Sequence, residues 1–206
     1  MSKKKSNKNS EQNVKNPDNK ASNNSEQEEF NIVKELIGML IYIVVVIIVV
    51  WFIVHFVGQR TEVSGESMYD TLEDGDNLWI DKLSYRFKDP KRFDIVVFPY
   101  QDSDVYYIKR VIGLPGEKVR IGDEGTIFIN DEALEEDYGY ETIMPDRIGR
   151  AADTITLGED EYFVMGDNRN NSKDSRFESV GNISKDELIG KAVLRMWPLS
   201  KFGNID

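Results

Sequence analysis

Three short stretches carry side chains whose types and spacing suit bond-breaking chemistry. "SGESMYDTL", residues 64–72, presents Ser67 in a turn just beyond the longest apolar run of the chain. A serine is ordinarily a cap or a turn residue; it becomes a nucleophile beside a group that takes its proton. The inventory restricts that group. The chain holds no cysteine and one histidine, His55, which lies inside the apolar run. A Ser-His-Asp arrangement in the polar part is therefore excluded, as are thiol nucleophiles and thiolate metal sites. Carboxylates alone seldom make a zinc site, so neither metal nor cofactor is expected. The base for Ser67 must be a lysine, a carboxylate or an amine.

Lysine serves as a base only when neutral, and burial is the means, because leaving water disfavours the ammonium. "VYYIKRVIG", residues 105–113, has the required character. On a strand Lys109 shares a face with Val105, Tyr107 and Val111, while Arg110 turns to the other face among Tyr106, Ile108 and Ile112. Both faces are apolar, so burial of Lys109 is expected. The competing expectation is an edge strand whose two cations reach water. The third stretch, "GDNRNNSKDSR", residues 166–176, follows "EYFVM" as a glycine-initiated loop rich in small polar groups. It reads as a solvated turn, or as a support that aims the lysine with a hydroxyl and stays rigid through carboxylate–arginine pairs.

Such groups need a rigid frame. "NLWIDKLS", "FDIVVFPY", "VYYIKRVIG", "KVRIG", "TIFIND", "EYFVMGD" and "KAVLRMW" all read as strands, and "GLPGE" and "GDEG" as turns. "SKDELIGK" starts at most a short helix. The spacing predicts a mostly β domain over residues 59–206, a compact antiparallel unit built as a partly open barrel or sandwich. Residues 131–155 are the least patterned and are expected to form an insertion or surface loop.

Ahead of this domain, "LIGMLIYIVVVIIVVWFIVHFV" contains no formally charged side chain. Residues 36–58 are predicted to form one transmembrane signal-anchor helix, since about 20 apolar residues span a hydrocarbon layer. The polar stretch 1–35 buries too little to offset its ordering entropy and is predicted to be a disordered tail. It holds seven lysines against six acidic residues, and only Arg60 follows the span closely. This bias predicts the N-terminus in the cytoplasm and the β domain outside the cell membrane. Net charge over the whole chain is −11, so residues 36–206 carry −12, which argues against nucleic acid as a partner.

From about Thr61 to Leu199 the chain resembles the type I signal peptidases, membrane-anchored Ser-Lys endopeptidases of bacteria. "SMYDTL" is similar to the nucleophile box of that family, "YIKRVIGLPG" to its lysine box and "IFIND" to the strand after it. "MGDNRNNSKDSR" resembles the most distinctive box and "GKAVLRMWPL" the closing strand, all in family order. The short spacing and single anchor resemble the Gram-positive branch. The resemblance implies Ser67 as nucleophile, Lys109 as general base and Ser172 hydrogen-bonded to Lys109. It also implies an Asp174–Arg176 pair supporting Ser172, an Asp167–Arg110 pair, and Met68 beside the catalytic pocket. The implied partners are secretory preproteins, cleaved after small residues at positions −1 and −3, and the lipid bilayer through 36–58. Two positions depart from the pattern: Asp70 stands where the family usually has proline, and Gly65 where some members carry an oxyanion-donating serine.

Three other readings share parts of this pattern: a self-cleaving Ser-Lys repressor-type domain, a non-catalytic chaperone or assembly factor for surface proteins, and a membrane-tethered binding domain. The apolar span and the absence of a DNA-binding helical segment count against the first. Ser67 and Lys109 count against the second, and the third has only generic β composition in its favour.

Overall fold

The structure, a computed structural model, describes residues 18–101 and 105–205. The chain divides into two compact units, Met1–Val50 and Trp51–Asp206. Helix α1 runs over Asp18–Phe52 and includes a 21-residue apolar stretch, Ile32–Phe52, none of it buried in the protein. At 1.5 Å per residue that stretch is about 32 Å long, enough to cross a hydrocarbon layer. The boundaries differ from those expected. α-Helical bonding stops at Phe52, a π-helical turn occupies Ile53–Val57, and strand pairing begins at Gly58, inside the expected span. The tail expected to lack structure through residue 35 is helical from Asp18. Once an apolar run has nucleated a helix, each further residue adds a hydrogen bond, and Glu, Gln and Lys extend it readily. Residues 1–17 of the expected tail lie outside the described residues.

The second unit is mostly β. Its strands are β1 (Gly58–Glu62), β2 (Asn77–Asp81), β3 (Ile95–Pro99) and β4 (Tyr106–Gly113), with a one-turn helix α2 (Ser84–Phe87) between β2 and β3. There follow β5 (Lys118–Ile121), β6 (Ile127–Ile129), β7 (Glu132–Ala133), β8 (Ile155–Thr156) and β9 (Glu161–Met165). The last three are β10 (Ile183–Ser184), β11 (Gly190–Trp197) and β12 (Gly203–Asn204). The larger sheet has the order β1-β2-β11-β3-β4-β9-β10, with β12 also on β11; the smaller has β7-β6-β5-β8. Every pairing is antiparallel. Neither sheet closes, so the β domain is a pair of open sheets and not a barrel.

Strand periodicity explains the continuous apolar runs. Along β3, Ile95 and Val97 enter one core cluster with Met68, Leu72, Leu78 and Ile80, while Val96 and Phe98 enter another with Val111, Tyr162 and Val164. Both faces of β3 are thus buried, and alternation with polar residues disappears. A third cluster joins Ile112 of β4 and Phe163 and Met165 of β9 to Val119, Ile121, Ile127 and Ile129 of the smaller sheet. β4 lies between β3 and β9 from Arg110 onward, and Lys109 and Arg110 are 3% and 0% exposed, so neither cation reaches water, contrary to the edge-strand expectation. The unpatterned stretch 131–155 is more than a surface loop. It contains β7 and two 3-10 turns, Pro145–Arg147 and Gly149–Ala152, and anchors Ile143, Ile148 and Ala151 in the third cluster.

Candidate active site

The segment after β1 leaves the sheet and folds back on itself. Val63 N–H donates to Asp76 O at 2.8 Å and Gly75 N–H to Val63 O at 2.9 Å, closing a loop that contains Ser67. Gly65 sits within it at φ +94°, a conformation that favours glycine, and its N–H donates to Asp74 Oδ1 at 2.7 Å. Met68 and Leu72 follow Ser67 into the core and are 1% and 0% exposed. These two anchors fix the turn, leaving Ser67 half-buried at the surface of a cleft. The Tyr69–Asp70 peptide bond is cis, and Asp70 is exposed.

Lys109 approaches from the middle of β4, paired in register with Val96 of β3. It is 3% exposed, and its Nζ donates to Ser67 Oγ at 2.8 Å and to Ile108 O at 2.9 Å. Burial pushes the Lys109 amine down from its ordinary 10.5 to about 8. Asp174 and Asp167 oppose this by favouring the ammonium, and Arg176 adds to it. Desolvation prevails because the two carboxylates are themselves committed to arginines. Among the described residues no group of histidine, cysteine, aspartate and glutamate is arranged to hold a metal ion.

The loop 166–176 is the support, and it is braced by fully buried ion pairs. Arg176 Nε and Nη2 donate to Asp174 Oδ1 and Oδ2, each at 2.8 Å, and Asp174 Oδ2 also accepts the Gly166 N–H at 3.0 Å. Arg110 Nε and Nη2 donate to Asp167 Oδ1 and Oδ2 at 2.9 and 2.7 Å. All four side chains are 0% exposed. Bidentate pairing satisfies the buried charges and fixes both loop ends. The loop then docks on the serine segment: Asn168 N–H donates to Ser67 O and Asn168 Nδ2 to Glu66 O, both at 3.1 Å. Only glycine fits at 166, since a Cβ there would lie 2.3 Å from both Ser67 O and Ser172 Oγ.

One expectation needs correction. Ser172 is buried, but its hydroxyl makes no hydrogen bond among the described residues, to Lys109 or any other group. Ser172 Oγ lies close against Gly166, while the Lys109 amine bonds Ser67 Oγ and Ile108 O. Met68 lines the cleft. Other residues of the site were not singled out from sequence. Thr71 Oγ1 donates to Asp167 Oδ2 at 2.6 Å, and the Tyr138 ring lies 3.7 Å from the Arg110 guanidinium. Arg169, 2% exposed, bonds Gly166 O and makes a bidentate pair with Glu136. Thr71, Gly166 and Arg169 lie inside the quoted motifs, whereas Glu136 and Tyr138 belong to the unpatterned stretch and carry no local signal.

The cleft has a volume of about 400 Å³. One wall is the segment Thr61–Ser64 after and at the end of β1; the other is Val105–Lys109, with Lys173 nearby. Both walls offer backbone edges. Among the described residues β1 pairs only with β2, and β9 pairs with β4 only from Arg110 onward, leaving the stretch before Lys109 open on the side away from β3. Among the described residues no acceptor takes the Ser67 N–H.

Comparison with known proteins is consistent across the chain. The family described as "Signal peptidase, peptidase S26" matches residues 33–197. The chain is 38% identical over 158 residues to "Signal peptidase I" of Leptolyngbya laminosa, covering 73% of this chain and 74% of that one. It is 35% identical over 154 residues to "Signal peptidase I T" of Bacillus subtilis (strain 168), covering 72% and 79%. Among solved structures, a signal peptidase I from Enterococcus faecalis V583 matches at 35% identity. That match covers 50% of this chain and 97% of that chain, with a TM-score of 0.42.

Proposed function

This chain belongs to the signal peptidase family, peptidase S26, and from that premise we propose that it is a serine endopeptidase working through a Ser67–Lys109 dyad. It removes signal peptides from secretory preproteins. The observation that carries the dyad is the 2.8 Å contact between Lys109 Nζ and Ser67 Oγ, made by an amine whose burial brings it to about 8. When that amine is neutral, the Ser67 hydroxyl donates to its lone pair across the same contact. Ser67 Oγ then attacks the scissile carbonyl and its proton passes to Lys109. Collapse of the tetrahedral intermediate transfers that proton to the departing amine of the mature protein. A water molecule, deprotonated by the same lysine, hydrolyses the ester and releases the signal peptide as a carboxylic acid. The unpaired Ser67 N–H is a donor for the oxyanion.

Substrate enters the cleft as an added strand, bonded to the open edges of β1 and of β4 before Lys109. Along such a strand positions −1 and −3 share a face, and small side chains there suit apolar walls that include Met68 and Ile108. The N-terminal apolar helix anchors the protein in the membrane. Its N-terminus faces the cytoplasm and the β unit the opposite side, so that cleavage occurs close to where a substrate's own apolar segment leaves the bilayer. Tethering both partners to one membrane raises their effective concentration.

The direct test incubates the full chain with a preprotein in detergent and sequences the new N-terminus. Ser67→Ala and Lys109→Ala should each abolish the cut while leaving the protein folded. A cut that survives Ser67→Ala would overturn the nucleophile. Preprotein binding with no cut by the wild type would favour the non-catalytic assembly-factor reading.

A further inference from the structure

A base of this kind has to stay dry, and one wall of its pocket is built by groups outside the dyad. Tyr107 lies two residues before Lys109 on the same face of β4, and its ring centroid is 4.9 Å from Lys109 Nζ. That ring is stacked on Tyr100, with centroids 4.7 Å apart and an interplanar angle of 13°. Tyr100 follows β3, and its Oη accepts a hydrogen bond of 2.7 Å from Lys173 Nζ. Lys173 stands between Ser172 and Asp174, in the loop that the buried Asp174–Arg176 pair holds rigid. The contacts form an unbroken chain from that loop, through two aromatic rings, to the amine of Lys109. Among the described residues no carboxylate pairs with Lys173, and the bond to Tyr100 raises its affinity for the proton, keeping it a cationic donor.

We propose that Lys173 is a positioning residue: through Tyr100 and the Tyr100–Tyr107 stack it holds the aromatic wall of the cleft against Lys109 and limits the hydration of its amine by bulk water. The proposal rests on the reading of Lys109 as the base. A mobile Tyr107 would admit water to Lys109, and hydration favours the ammonium. The other charged groups around Lys109 are accounted for. Asp174 and Asp167 of the support loop favour its ammonium, and Arg176 disfavours it. Arg110 on the same strand is committed to Asp167, and Glu62 lies on the opposite cleft wall.

The test compares Lys173→Met, Tyr100→Phe and Lys173→Arg in the full chain. One readout is kcat/KM against pH. The other, made in a Ser67→Ala background, is the pH dependence of Lys109 acylation by acetic anhydride, resolved from other lysines by peptide mass spectrometry. Lys173→Met and Tyr100→Phe should raise both midpoints by about half to one pH unit, lowering the neutral-pH rate about threefold to tenfold while the alkaline plateau is kept. Lys173→Arg, which keeps a cationic donor, should restore the midpoints. Unchanged midpoints in Lys173→Met would overturn the proposal. So would a higher KM with an unmoved midpoint, which would make Lys173 a substrate contact. If the acylation midpoint moves and the rate profile does not follow, the wall stands and the base assignment of Lys109 falls.

Discussion

Activity should rise with pH through a single ionisation near pH 8, because the proton acceptor must be a neutral amine. An ordinary lysine at 10.5 is about 0.03% neutral at pH 7, whereas Lys109 at about 8 is about 9% neutral, a gain of roughly 300-fold or about 3 kcal/mol. With an internally quenched peptide free of titrating groups, kcat/KM should climb about tenfold from pH 6 to 7 and flatten above about pH 9. Lys109→Arg should remove this limb altogether, since a guanidinium stays protonated throughout and cannot accept the proton. The same ionisation links to stability. Between about 8 and 10.5 the unfolded chain holds a proton on Lys109 that the folded chain lacks, so the folded state gains stability as pH rises through that window. Below about 8 both states are protonated and the cost of burying the charge is felt in full. Subtracting the denaturation curves of Lys109→Met from those of the wild type isolates this contribution from other titrating groups. A flat rate profile, a midpoint near 10, or a limb that persists in Lys109→Arg would refute the reasoning.

Gly166→Ala should destabilise the protein by about 1–3 kcal/mol through overpacking; since the new Cβ meets Ser67 O, a rigid backbone atom, kcat should fall more than KM rises in steady-state assays. Asp174→Ala leaves Arg176 as an uncompensated buried charge and should cost about 3–5 kcal/mol in urea denaturation, with loss of activity through the loosened loop. Ser172→Ala removes a buried hydroxyl that makes no hydrogen bond, so its melting temperature should equal or slightly exceed that of the wild type. A large drop in melting temperature would show that the hydroxyl is paired in solution.

Much of this architecture is legible in the sequence because it depends on local pattern and inventory. The run 36–57 is too long and too apolar for a core strand, the seven main strand segments carry β-branched residues between turn signals, and a chain with one histidine and no cysteine leaves a lysine, a carboxylate or an amine as a base for serine. The bidentate Arg110–Asp167 and Arg176–Asp174 pairs lie within the motif boxes that carry the family resemblance. What sequence alone leaves open is set by long-range packing. The burial of Lys109 depends on the segments packed around it, with β3 paired alongside and the Ser67 loop against its amine. Burial in turn sets the proton affinity, because desolvation is a property of the surroundings and not of the residue. The family resemblance implies a Ser172–Lys109 hydrogen bond, but the Ser172 hydroxyl lies close against Gly166 and makes no hydrogen bond among the described residues. Glu136, Tyr138 and Tyr100 reach the site from segments with no motif, since a contact between distant residues leaves no periodic trace in either stretch. Residue types therefore determined which chemistry was available to this protein. The tertiary fold determined which lysine is dry enough for the role proposed here, because packing from distant strands and loops removes water from its amine.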